Sequence, residues 1–328
     1  MKMYALLVRL IISCMMCALP IAAHAQDATA AYPSRPIRLV VGFTAGGGND
    51  SLARIFGKRL SERLGQPVVV ENRPGAGATL ATEFVAKSDP DGYTLLMGAS
   101  GAMVINAAVA AKQRYDTLRD FAPVSMLGSF PLILIVKSTS PIKSVTDLVA
   151  FAKQNPEKAN YSSASPAFQL VTEMFKKETG APMQRVSYKG ANDAVLAVIS
   201  GEVTAAIADA GPVMAQVSGG VVRALAVAAP KRVRFLPDVP TMKEAGANVE
   251  AVLWSGVFAP KATPEKIVSL LQDEFMKIAR EAEVVQRLSE IGIDSVGNSS
   301  ADFARTVASD LEKWATAASE AGLQRMEQ

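Results

Sequence analysis

The chain has 328 residues, with 34 lysines and arginines against 31 aspartates and glutamates, two cysteines and a single histidine, for a formal charge of +3. So small an excess of positive charge gives no electrostatic reason to bind nucleic acid. A chain of this length, rich in apolar side chains, exceeds one ordinary hydrophobic core, and two compact lobes are expected.

Lys2 and Arg9 precede an apolar run over residues 10–23 that ends in Ala23-His24-Ala25. This pattern predicts a secretory signal over residues 1–25 with an A-x-A cleavage site. The run is shorter than the roughly 20 apolar residues of a membrane span, and Pro20 interrupts its end. Cys14 and Cys17 lie inside the apolar core and outside any convincing lipobox. Cleavage after Ala25 removes Lys2, Arg9, both cysteines and His24, leaving 32 basic against 31 acidic residues. A mature chain without Cys or His has no disulfide, no thiolate nucleophile, no Ser-His-Asp triad and no His- or Cys-ligated zinc. No catalytic residue, metal or cofactor is assigned.

From Tyr32 onward, short β-branched runs alternate with amphipathic segments: "IRLVVGF" with "DSLARIFGKRLSERLG", "PVVVEN" with "ATLATEFVAKS", and "YTLLMGA" with "AMVINAAVAA". Such alternation predicts βαβ units around a parallel sheet, the first helix capped by Asn49 or Asp50. The run "PLILIVK" follows a short "GSF", and the units resume with "SVTDLVAFAKQN", "ANYSSAS", "FQLVTEMFKKETG", "RVSYKG", "NDAVLAVISGEV" and "TAAIADA" as a second lobe. "VRALAVAA" and "AVLWSGVFAP" read as strands around a proline-punctuated crossing. The tail is helical, with Thr263 as a cap, Pro264 at the first helical position and a stripe of Ile267, Leu270, Leu271, Phe275 and Ile278, then a second stripe of Phe303, Val307, Leu311 and Trp314. Both stripes read as core packing. Strand-then-crossing sites near Ser129 and Ala229 divide the chain into a discontinuous first lobe, 32–128 with 230–328, and a second lobe, 129–229, joined by a two-strand hinge over a ligand cleft.

Three strand-to-helix junctions carry small polar residues: "FTAGGGND" (43–50), "GASGAM" (98–103) and "YSSASPAF" (161–168). A glycine-rich turn lets backbone approach a ligand, and a helix N-terminus offers unpaired N–H groups, so an anion is the natural guest. Taken singly, each reads as a plain connection, since glycine and serine suit turns; together, two in one lobe and one in the other, they form a candidate site. Gly46 and Gly48 give G-x-G, but Ser51 stands where a third glycine is needed and no Gly-Lys-Ser/Thr follows, so both nucleotide-phosphate fingerprints fail. A carboxylate fits better. Asp209, closing the run "AAIAD", is either a cleft acid accepting from a ligand amine, hydroxyl or ordered water, or a solvated turn acid before Pro212. Arg54 reads as an ion-pair partner, and Lys58 and Arg59 as a solvated face.

The ordered series "YPSRPIRLVVGFTAGGGNDSLAR", "LGQPVVVENRPGAGATLATEFVAKSDPDGYTLL", "VSYKGANDAV", "RALAVAAPKRVRFLPDVPTMKEAG" and "WSGVFAPKATP" resembles the substrate-binding receptors of tripartite tricarboxylate transporters, the Bug-type receptors, over essentially the whole mature chain. The resemblance implies an α/β, type II periplasmic binding-protein fold whose two lobes close on a small carboxylate. It implies delivery to small and large integral membrane subunits by a monomeric periplasmic receptor. It maps ligand contacts onto Phe43, Thr44, Ala45, Gly46, Gly47 and Gly48, with Asp50 beside them; onto Ala99, Ser100, Gly101 and Ala102; and onto Ser163, Ser165, Phe168 and Asp209. The chain departs from the family pattern at Ala45, where a proline is frequent, in "NAAV", and in "SSASPAF", where Pro166 removes a donor and Phe168 adds an aromatic face. These departures point to one carboxylate on an apolar or aromatic remainder. A receptor read by a sensor kinase uses the same cleft, and a periplasmic enzyme would have to use Asp209, Tyr188 or Lys189 as acid or base.

Overall fold

The computed structural model describes residues 32–110, 113–188 and 190–323; the signal sequence, both cysteines, His24 and Lys189 lie outside them. Pro33–Gln328 forms one compact unit. β1 (Ile37–Val41) leads into α1 (Gly48–Leu64), β2 (Val68–Asn72) into α2 (Thr79–Ala86), and β3 (Thr94–Ala99) into a π-helical turn, Gly101–Ile105, continued by α3 (Asn106–Val109). β1 pairs in parallel with both β2 and β3, Val41 standing opposite Asn72 and Met97. A short α4 (Thr117–Asp120), capped by the Asp116 carboxylate, enters the long strand β4 (Phe121–Lys137).

β4 joins two groups of strands. Its first part pairs antiparallel with β9 (Val252–Pro260), which in turn pairs antiparallel with β3. Its second part pairs antiparallel with β7 (Ala205–Asp209) on one flank and β8 (Val222–Val227) on the other. β7 continues in parallel to β5 (Asn160–Ser163) and β6 (Gln184–Ser187). Around these strands lie α5 (Val145–Gln154), α6 (Pro166–Thr179), α7 (Ala191–Ser200) and α8 (Ala210–Ser218). The tail supplies α9 (Glu265–Ile278), α10 (Ala282–Glu290), the two-residue β10 (Asp294–Ser295) paired to β4, and α11 (Ser300–Glu320).

The expected strand "PLILIVK" is thus the second half of one 17-residue strand. Pro131 is tolerated there because β10 stops at Ser129 and β7 starts at Leu132, so that flank of β4 carries no ladder at the proline. Two cap assignments are corrected. α1 starts one residue after Gly47, placing Asn49 and Asp50 in its first turn, and α9 starts after Pro264, leaving Thr263 buried outside the helix. Leu270 is 38% exposed, because Val268 takes the inner position beside Ile267 and Leu271. In the other stripe Phe303 and Trp314 are buried, and the Phe303 ring meets Trp254 and Phe258 at 5.1 and 4.9 Å between centroids. Trp254 Nε1 donates to Asp310 at 2.6 Å, which ties α11 to β9. Among the described residues no helix is long and apolar enough to cross a membrane.

Candidate ligand cleft

The predicted loops leave the carboxyl ends of parallel strands, the edge at which open α/β sheets place their ligands. Phe43–Gly48 follows β1 and Ser100–Ala102 follows the neighbouring β3; Ser163–Phe168 follows β5 and Asp209 ends the neighbouring β7. Register shows where the two edges meet. Ala99 stands opposite Ser255, and Ser255 opposite Gly128, while Asp209 stands opposite Leu132. Both edges therefore converge on residues 128–132 of β4, a span of roughly 13 Å. A Cβ on Gly48 would come within 3.1 Å of the Phe130 ring, so the start of α1 lies against the middle of that span.

The first loop is shaped from behind. Asp50, 3% exposed, accepts from the Gly46 N–H, Arg54 Nε and Asn72 Nδ2, each at 2.9 Å, and Asn72 also donates to the Phe43 carbonyl. Burial acts to raise the Asp50 pKa, and the hydrogen bonds from Arg54, Gly46 and Asn72 outweigh it and hold the carboxyl below its ordinary range. Asp50 is thus occupied by the loop's own groups, and Arg54 is its ion-pair partner. Gly46 sits at φ +85°, a conformation other residues reach only with strain. Thr44 to Gly48 are exposed, and the first N–H groups of α1 have no intrahelical acceptor. An anion there meets backbone donors and the positive end of a 17-residue helix.

The second loop adds Ser100, 1% exposed, whose hydroxyl oxygen accepts from the Trp254 N–H at 3.1 Å and keeps its proton for donation. Ala102 is buried, its carbonyl held by Tyr115. On the opposite edge, the Ser163 hydroxyl donates to the Ser165 carbonyl and Ser165 caps α6 at the Phe168 N–H, so both serines build their loop. Phe168 is 9% exposed and belongs to the core cluster. Asp209 is half-buried, but its Oδ1 is fully sheltered and has no hydrogen-bond partner among the described residues, and burial pushes its pKa up to about 6. Tyr188 is pushed up to about 12 by burial and by Glu202, which makes it no base at neutral pH.

Two features escaped the sequence reading. Asn72 closes the first loop across 22 residues of chain to Asp50, and the only signal was its place at a strand end before "RPGAGA". That next segment holds Ala76 at φ +46° and Ala78 at φ +73° on the same carboxyl edge; its alternate glycines were the available hint. A groove of about 1680 Å³ opens elsewhere, lined by Ser129, Pro131, Val252 and Trp254 with Lys231 and Arg234. Strand alternation puts those β4 residues on the face opposite Phe130, and none of the predicted site residues reaches the groove.

Comparison with known proteins agrees with this geometry. The profile described as "Tripartite tricarboxylate transporter family receptor" matches residues 52–323. Protein BugT of Bordetella pertussis is 35% identical over 295 residues, covering 89% of this chain and 90% of its own. The structure of R. palustris Rpa4515 with adipate is 34% identical, covers 90% of this chain and 100% of its own, and superposes with a TM-score of 0.83. MatC from Rhodopseudomonas palustris with bound malate is 28% identical over 87% of this chain and 99% of its own, with a TM-score of 0.77. The fold is the α/β, type II-like fold of the periplasmic binding proteins. The chain belongs to the tripartite tricarboxylate transporter receptor family.

Proposed function

We propose that this protein is a periplasmic receptor that captures a small carboxylate-bearing organic acid between two lobes and delivers it, without chemistry, to the small and large membrane subunits of a tripartite transporter. The observation that carries the reading is the convergence of two strand-edge loop sets on residues 128–132 of β4, one presenting exposed backbone at the start of a helix and the other closed by a half-buried acid. The lobes are the two strand groups that β4 joins, residues 32–128 with 230–328 and residues 129–229. β4 at Ser129 and the chain passing Ala229 into β9 form the hinge.

The carboxylate docks first on residues 43–48 and 100–102, where charge-assisted backbone hydrogen bonds replace its water. The second lobe then closes, bringing Asp209 and the Ser163–Phe168 loop to the far end. The closed form gains population by the contacts present only in it. The adipate and malate held by the two R. palustris relatives support a carboxylate ligand, and the family description supports delivery to a transporter. A thermal-shift screen against mono-, di- and tricarboxylates, aromatic acids and amino acids tests the reading, since a ligand of the folded state alone raises the melting temperature. A shift confined to carboxylates supports it. No shift with any acid removes the carboxylate claim.

A further inference from the structure

At the far end of the cleft, Asp209 Oδ1 is sheltered and unpartnered among the described residues, as is the Tyr188 hydroxyl, and Asp209 is the group of the two that ionises near neutral pH. Opposed residues of an antiparallel pair project from the same face, so its side chain emerges beside that of Leu132. Phe130, two residues back along β4, projects to that face too and touches the start of α1 at Gly48. The acid and the start of the anion-loop helix therefore flank one face of β4. Its shelter comes from the fold: Gly292, in the turn before β10, would bring a Cβ within 2.3 Å of Ala210, so that turn presses against the residue next to Asp209. Gln169, 7% exposed in the first turn of α6 on the same edge, also holds its Oε1 without a partner. Buried polar groups are otherwise nearly always paired, and exceptions call for a ligand or ordered water.

Resting on the receptor reading above, we propose that Asp209 selects the distal group of the ligand: the cleft takes an acid whose end away from the docked carboxylate is a hydrogen-bond donor, a hydroxyl, an amide N–H or an ammonium. A second carboxylate at that end would set two anions together in a sheltered site, which costs one of them its charge. A methyl group would leave the Asp209 oxygen buried and unanswered. A six-carbon scaffold, the length of the adipate held by R. palustris Rpa4515, serves as the probe series.

Calorimetric titration of the purified protein at pH 7.5 with a six-carbon series tests this: hexanoate, adipate, adipic monoamide, ω-hydroxyhexanoate and ω-aminohexanoate. The three donor-ended acids bind about tenfold tighter than hexanoate and adipate, and in Asp209→Asn their advantage over hexanoate falls by at least about threefold. Adipate or hexanoate binding as tightly as the donor-ended acids in the wild-type protein overturns the proposal, whether or not the variant folds. An advantage that persists unchanged in folded Asp209→Asn overturns it as well. A protein that binds none of the five overturns the carboxylate reading beneath it, while one that binds all alike overturns only the role of Asp209.

Discussion

Replacing Asp209 by asparagine removes a carboxylate whose Oδ1 folding shelters without a partner, and its effect has a sign and a pH window. The carboxyl titrates at about 6 in the folded chain against 3.8 when free. The folded state thus binds the proton more tightly than the unfolded state, and wild-type stability falls as pH rises from about 4 to about 6. Above that window the ionised acid costs about 3 kcal/mol, and below it nothing. For a chain of about 300 residues that is a melting-temperature difference of about 5 °C. The buried amide of asparagine also needs partners and carries its own pH-independent cost. The measurement is therefore the change, between pH 4 and pH 7, in the difference between the ligand-free wild-type and Asp209→Asn melting temperatures by scanning calorimetry. Other half-buried acids with raised pKa, Asp294 and Asp310, titrate in both proteins and cancel. Asp209→Asn gains about 4 °C on wild type across that interval. Parallel pH profiles would refute the sheltered, unpartnered acid.

The remaining predictions concern the loops. Asp50→Asn strips the charge that holds Gly46, Arg54 and Asn72 and lowers stability in urea by about 2 kcal/mol. Because the Asp50 pKa is depressed, that loss is full at neutral pH and disappears as pH falls below 3.8. Ser100→Ala leaves the Trp254 N–H without its acceptor, so it costs about 1–3 kcal/mol of stability and weakens carboxylate binding in the same titration. Gly292→Ala forces a Cβ against that of Ala210 at φ +72°; read by urea unfolding, it destabilises by more than 1 kcal/mol, roughly the cost of the left-handed conformation alone.

Local pattern carried most of the strand and helix order, because β-branched runs followed by amphipathic segments admit few other folds. The anion loop was legible for the same reason: three glycines between a buried strand and a helix have a direct chemical meaning. Its support was not legible, since Asn72 reaches Asp50 only after β1 and β2 pair. Nor could the residues separate a cleft acid from a solvated one at Asp209, because its shelter depends on β4 beside it and on a turn more than 80 residues away, at Gly292. The continuity of β4 was hidden by Gly128 and Pro131, which read as breaks until the gap between β10 and β7 is seen. The caps at Gly47 and Pro264 follow from backbone geometry that side-chain preference does not encode.

The central claim, that a carboxylate is held against the loop at the start of α1, is tested most directly by the dissociation constant of a carboxylate ligand for the wild-type protein and for Gly47→Trp. Gly47 has an extended backbone that any residue adopts, and a Cβ there meets nothing nearer than the Thr44 carbonyl at 3.7 Å, so the indole fills the cleft and leaves the fold intact. The account predicts saturable one-to-one binding to wild type and none to Gly47→Trp at an unchanged melting temperature. Equal binding by both proteins would place the ligand elsewhere and contradict the account.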